Sequence, residues 1–209
     1  MFNDSILKEP NLISEIENTI QLTEISEKDG FFFNQKFTTE RRVRTYIYSL
    51  LQKAQKNLPE NYFFMIYEAL RPRKKQIELW NSVVERMKNS HPNLDPNSEE
   101  FIMMCDVYAA NPYRQGSGHQ SGAAIDVTLC NASGIEYEMG SFVRDFSKNA
   151  SAENTDLSKE AIKNRKILDD ALTSVGFVNY PPEWWHYSFG DRLWARLTKS
   201  EIAIFGSIE

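Results

Sequence analysis

Two short segments limit what this chain can fold into more than any other feature. They are Ser117-Gly118-His119-Gln120-Ser121-Gly122-Ala123-Ala124-Ile125-Asp126 and Glu183-Trp184-Trp185-His186, and they hold two of the three histidines. A fold that uses both must bring distant stretches together, so that two imidazole nitrogens and one carboxylate oxygen meet. Ala124 to Leu129 alternates as a strand does, with Ile125, Val127 and Leu129 facing one way and Asp126 and Thr128 the other. Asp126 thus projects from a rigid element, and His119 can fold back toward the same face through a loop loosened by Gly118 and Gly122.

Two histidines and a carboxylate leave one position of a tetrahedral site open, which is the ligand pattern of a hydrolytic zinc centre. A duller reading of the first segment is a strand-edge Asp and a loop His without a partner, and the fragment alone leaves that equally open. In the second segment, Glu183 and His186 are three residues apart and would face opposite sides of an ideal strand. They can share a site only if Glu183 lies on a bend, which Pro181 and Pro182 favour. A Glu beside a metal but not bound to it can pass a proton from water to a leaving amine. The plain alternative is a Glu at a strand start and a core His flanked by tryptophans.

Composition narrows the class. With 209 residues, 41% of them hydrophobic and 12% aromatic, the chain reads as one globular domain over 1–209. Its net charge is −5 and no basic stripe interleaves with aromatics, so no nucleic-acid partner is expected. No stretch approaches the roughly 18 apolar residues of a membrane span. Met1 to Pro10 has no basic segment followed by an apolar run, which points to a cytoplasmic protein. Cys105 and Cys130 match no metal or redox spacing and are expected as buried free thiols. No signal for an oligomeric state stands out.

Periodicity places the elements. Asp29-Gly30 before Phe31-Phe32-Phe33 marks a turn into a short strand, and Thr39 is a plausible N-cap for a helix. That helix would bury Val43, Tyr46, Ile47, Leu50, Leu51 and Ala54 and end at Pro59. Tyr62 to Glu68 reads as a buried strand, followed by a helix opened by Pro72 that buries Ile77, Trp80, Val83, Val84 and Met87. His91 falls in an exposed turn. Ser98 caps a further helix, with Phe101, Met104, Cys105 and Tyr108 inward. Residues 131–154 form an irregular excursion. Then come a helix from Ser158 to Val175 closed by Gly176, two short strands, and a helix near Asp191–Leu197. Helices and short strands without βα alternation indicate an α+β fold.

The pattern Ser117-x-His119-x-x-Gly122-x-Ala124-x-Asp126, then Glu183-Trp184-Trp185-His186, resembles the zinc-dependent D-alanyl-D-alanine dipeptidases of the vancomycin-resistance type. Arg71-Pro72, Asn164-Arg165, Leu168 and Gly176-Phe177 fit the same family, in the right order, over roughly residues 60–195. The resemblance implies a hedgehog/D,D-peptidase-like fold, with a central, mainly antiparallel sheet flanked by helices. It implies one Zn2+ per chain on His119, Asp126 and His186, with Glu183 as general base. Arg71 would stabilise the tetrahedral intermediate, and a small dipeptide of the peptidoglycan type would be the substrate.

Two departures touch the substrate. Leu70 stands where the family has a tyrosine before Arg-Pro. Met139-Gly140-Ser141-Phe142-Val143-Arg144-Asp145 carries one residue more than the family's segment, whose aspartate holds the substrate's amino group. Asp145 is the candidate for that contact, with Arg144 beside it able to neutralise it. Ser117 either hydrogen-bonds the substrate or shapes the loop. The rival readings are a D,D-carboxypeptidase acting on longer peptidoglycan peptides and a non-catalytic zinc-binding recognition module.

Overall fold

The computed structural model describes residues 20–114, 116–145 and 147–208, and the backbone of the strand β1 (Leu12–Ile13). The expectation placed on Met1 to Pro10 lies outside those residues. In chain order, β2 (Leu22–Glu24), β3 (Phe32–Phe33) and β4 (Arg42–Arg44) precede α1 (Thr45–Lys56), β5 (Phe63–Glu68), α2 (Arg73–Ser90) and α3 (Glu99–Asp106). After them come β6 (Ala124–Cys130), α4 (Lys159–Thr173), β7 (Val178–Tyr180), β8 (Glu183–Ser188), α5 (Arg192–Thr198) and β9 (Ile202–Ala203).

The central sheet has the order β3-β5-β6-β8-β7. Its β3–β5 pair is parallel and the others are antiparallel, so the α+β class and the mainly antiparallel sheet hold. Two small pairs, β1 with β9 and β2 with β4, lie outside it. All seven residues of β6 are buried, as a central strand covered on both faces requires. Ile47 and Leu51 of α1 and Leu168 and Leu172 of α4 join Phe64, Ile66, Ile125, Val127 and Leu129 in one core. Each such side chain contributes roughly 1.5–3 kcal/mol by leaving water. Trp80, Val83 and Met87 of α2 form a second cluster with Phe101 and Cys105 of α3.

Helix ends follow their caps. Ser98 Oγ accepts from Phe101 N to start α3, and Ser158 Oγ accepts from Ala161 N to start α4. The first helix departs from expectation. Thr39 does not cap it; residues 42–44 pair as a strand with β2, and α1 begins only at Thr45. Val43 is buried all the same, as a strand residue. Tyr108, expected inward, is exposed beyond the end of α3, and Ile77 and Val84 are only partly buried. His91 is exposed, at the C-terminal cap of α2. Cys105 and Cys130 are free and buried, and burial pushes the Cys130 thiol up to about 12. Among the described residues, no helix is long and apolar enough to cross a membrane.

Candidate metal centre

Strands β5, β6 and β8 lie side by side, and their register sets Glu68 opposite Asp126 and Asp126 opposite His186. Directly opposed residues on neighbouring strands have Cβ atoms about 4.5–5.5 Å apart, so backbone pairing alone brings these three side chains together. His119 arrives from a 3-10 turn, Gly118–Ser121, which runs into β6. Ser117 caps that turn in a capping box: its Oγ accepts from His119 N, and Gln120 Oε1 accepts from Ser117 N. Gly122 closes the turn at φ 69°, a left-handed conformation open to glycine at little cost.

The two imidazoles are held in defined tautomers. His119 Nδ1 lies 3.0 Å from the Ala69 carbonyl, which can only accept, so Nδ1 carries the proton. Its Nε2 then points a lone pair at Asp126 Oδ1, 3.2 Å away. His186 is reversed. Its Nε2 lies 3.4 Å from Ser188 Oγ, and that hydroxyl donates to Asp191 Oδ2 at 2.8 Å, leaving its oxygen to accept. His186 Nδ1 therefore faces Asp126 Oδ1 at 3.0 Å.

Two nitrogens and one carboxylate oxygen thus converge within 4.8 Å of one another, and all three residues are buried. Each ring's second nitrogen is occupied by a partner that fixes its orientation, the arrangement that characterises metal-ligating histidines. Borderline nitrogen and oxygen donors with buried second partners suit zinc. Burial alone would raise the Asp126 carboxyl, but His119 and His186 overcome it and hold it well below the usual carboxylate range. Burial opposes charge on His186, but the protonated ring, which carries a proton on Nδ1 as well, hydrogen-bonds Asp126, and this outweighs burial and raises it.

Glu183 opens β8, directly after the Pro181-Pro182 connection, and pairs with Tyr180. The β7–β8 register breaks between Asn179 and Tyr180, and Asn179 Nδ2 bridges the gap by donating to the carbonyls of Glu183 and His186. The strict alternation that would separate Glu183 from His186 is lost there, and both line one cavity of ≈ 740 Å³. Burial raises the Glu183 carboxyl, with Asp126 adding to the effect and the histidines and Arg71 opposing it.

Arg71 lines the same cavity and is locked on three sides. Its Nε and Nη2 donate to the two oxygens of Glu68 at 2.6 and 2.5 Å, and its Nη1 to Gln76 Oε1 at 2.7 Å. Gln76 is held in turn by the Ala110 carbonyl at 2.6 Å. Burial would raise Glu68, but Arg71 outweighs it and brings the carboxyl to about 2. Ser117 also borders the cavity. Asp145 does not: its Oδ1 accepts from Ser147 N at 2.8 Å in a tight turn, and the neighbouring wall residue is Arg144. That oxygen is committed to the backbone turn.

Several of these residues carry no sequence signal of their role. Glu68 reads as the end of a buried strand, and its charge at that position is the only hint of a partner. Ser188 and Asp191 follow the second motif without marking it, although an Asp before the final helix suggests a cap, and its Oδ1 does accept from Trp194 N.

The family model described as D-ala-D-ala dipeptidase matches residues 33–203. A D-alanyl-D-alanine dipeptidase of Synechocystis is 31% identical over 108 residues, 44% of this chain and 44% of the relative. One of Escherichia coli is 29% identical over 123 residues, 59% of this chain and 53% of the relative. The chain thus spans about half the length of these curated relatives. The solved structure of VanYB in complex with D-Alanine-D-Alanine covers 92% of both chains, with a TM-score of 0.49 and 15% identity.

Proposed function

This chain belongs to the D-Ala-D-Ala dipeptidase family, and on that premise we propose that it is a zinc metallopeptidase of one domain that hydrolyses D-Ala-D-Ala or a similar short dipeptide. The observation that carries the reading is the convergence of His119, Asp126 and His186 beside Glu183 and Arg71 in one cavity. His119 Nε2, Asp126 and His186 Nδ1 would hold one Zn2+. The ion would supply Lewis acidity, lowering the pKa of water from 15.7 to about 7 and polarising the scissile carbonyl.

The remaining work falls to the chain. Burial raises Glu183, which favours its taking a proton from the attacking water and returning it to the leaving amine. Arg71 carries the positive charge that the carbonyl oxygen needs as it becomes an oxyanion, and its three hydrogen bonds fix the guanidinium before reaction. A positioned donor of this kind is worth roughly 3–4 kcal/mol in the transition state. A site built for binding alone needs neither a base nor an oxyanion partner, which favours the enzyme over a recognition module.

Incubation of the zinc-loaded protein with D-Ala-D-Ala and with a pentapeptide ending in D-Ala-D-Ala tests the reading. We expect the dipeptide to be the better substrate and Glu183→Ala to keep zinc while turnover falls by about 100-fold or more. Release from the pentapeptide alone would make the protein a D,D-carboxypeptidase. Unchanged turnover in Glu183→Ala would remove the base.

A further inference from the structure

Among the described residues, three that are not glycine adopt a left-handed backbone: Asn61, Arg144 and Lys199. Lys199 ends α5 and Asn61 lies in the turn before β5, whereas Arg144, at φ 68°, lines the cavity. A side chain held in that region is strained, and its surroundings must hold it there. Two contacts do so. The Arg144 guanidinium lies over the Phe37 ring, 5.1 Å from its centroid, and Nη2 donates to Glu68 Oε2.

Glu68 is already engaged by both prongs of Arg71, so two guanidiniums share one carboxylate and the cluster keeps a net positive charge. Arg71 keeps one N–H on each terminal nitrogen, and in the proposed mechanism these serve the oxyanion. Arg144 differs. Its side chain is 34% exposed, and its Nε and Nη1 have no hydrogen-bond partner among the described residues. The surplus charge therefore faces the cavity on a planar fork already aligned by Glu68 and Phe37, the form in which arginine binds carboxylates best.

Of the cavity's acidic side chains, Glu183 is the proposed base, and most of the others already have partners. Glu68 is bracketed by two guanidiniums and Asp126 by two imidazoles. Asp191 accepts from Ser188 and Trp194, and Asp106 from Asn111 N. Glu78 is exposed on α2.

We propose that Arg144 is a substrate-binding residue that pairs with a carboxylate of the peptide, and that the site selects its substrate by that anion. The proposal rests on reading the cavity as a peptidase site. The carboxylate is either the peptide's C-terminus or an acidic side chain on the residue before the scissile bond.

The test uses zinc-loaded wild type, Arg144→Gln and Arg144→Lys with four peptides: D-Ala-D-Ala, its N-acetyl form, its C-terminal amide, and D-Glu-D-Ala. Loss of a charge-assisted pair should raise KM of Arg144→Gln by about tenfold or more on the recognised peptide, with Arg144→Lys in between. The kcat should fall by less than about threefold. If the C-terminus is the partner, wild type handles the amide poorly and Arg144→Gln handles it no worse. If a side chain is the partner, wild type prefers D-Glu-D-Ala and the preference vanishes in Arg144→Gln. An unchanged KM on every peptide overturns the proposal, as does an equal loss of kcat on all four, which would mark a positioning role through Glu68 and Arg71. Calorimetric binding of the same peptides separates the two readings. Arg144-dependent binding without any hydrolysis refutes the peptidase reading alone; hydrolysis with Arg144-independent KM refutes this proposal alone; neither binding nor hydrolysis refutes both.

Discussion

At the scale of single residues, the candidate centre depends on what stands behind each ligand. His186 presents Nδ1 to Asp126 because Ser188 accepts from Nε2 and Asp191 anchors Ser188. The packing there is close: a Cβ at Gly118 would come within 2.4 Å of Asp191 Oδ2 and 3.3 Å of Ser188 Oγ. We expect Ser188→Ala and Asp191→Asn each to weaken zinc binding by about 10–100-fold, measured by competition against a chelator, without removing a ligand. Glu68 makes a pH prediction. Its folded-state value of about 2 lies below its ordinary 4.5, so it contributes stability in full above about pH 4.5, and that stability is lost as pH falls through 2. On the order of 3 kcal/mol is involved. Denaturant titrations at pH 7, 5 and 3 should show wild type losing stability more steeply than Glu68→Gln, which begins lower because it strands Arg71; parallel curves would contradict the assignment. The candidate ligands came from the family resemblance of the two motifs together, because strand alternation and glycine placement alone left a partnerless Asp and His equally open. Glu68, Ala69 and Ser188 were not legible, because a hydrogen-bond partner supplied from another element leaves no mark on its own neighbourhood in the sequence.

At the scale of elements, the excursion between β6 and α4 is held from α4. Arg165 donates to the carbonyls of Met139, Asn149 and Ser151 at 2.7, 2.6 and 2.8 Å, over the Trp184 ring, and Asn164 Nδ2 donates to the Glu138 carbonyl. This segment carries Arg144 to the cavity wall. Arg165→Met leaves three carbonyls without their donor and should cost about 3 kcal/mol in thermal or denaturant unfolding. It should also raise KM, if the segment positions Arg144. The sequence described this stretch as irregular, which it is, but periodicity is silent on an order imposed by side-chain-to-backbone bonds. The start of α1 failed for a related reason. Residues 42–44 continue a helical pattern by composition, yet their backbone pairs with β2, part of a segment that reads poorly alone, and tertiary pairing overrides local propensity.

At the scale of the whole molecule, the antiparallel order β5-β6-β8 turns segments far apart in the chain into one row of side chains. The buried strand and helix faces that build this sheet were readable because 2.0 and 3.6 periodicities are strong along β6, α2 and α4. A cation that binds only the assembled row must stabilise the fold by mass action. Chelation should lower Tm by several degrees, and stoichiometric zinc should restore it; a Tm indifferent to both would separate the row from any metal. The most direct measurement of the central claim is the zinc content of untagged protein after reconstitution and exhaustive dialysis, for wild type, His186→Ala and the His119→Ala/Asp126→Ala pair. The account expects one zinc per chain in wild type and essentially none in the folded variants. Wild type without zinc, or folded variants that keep it, would contradict it.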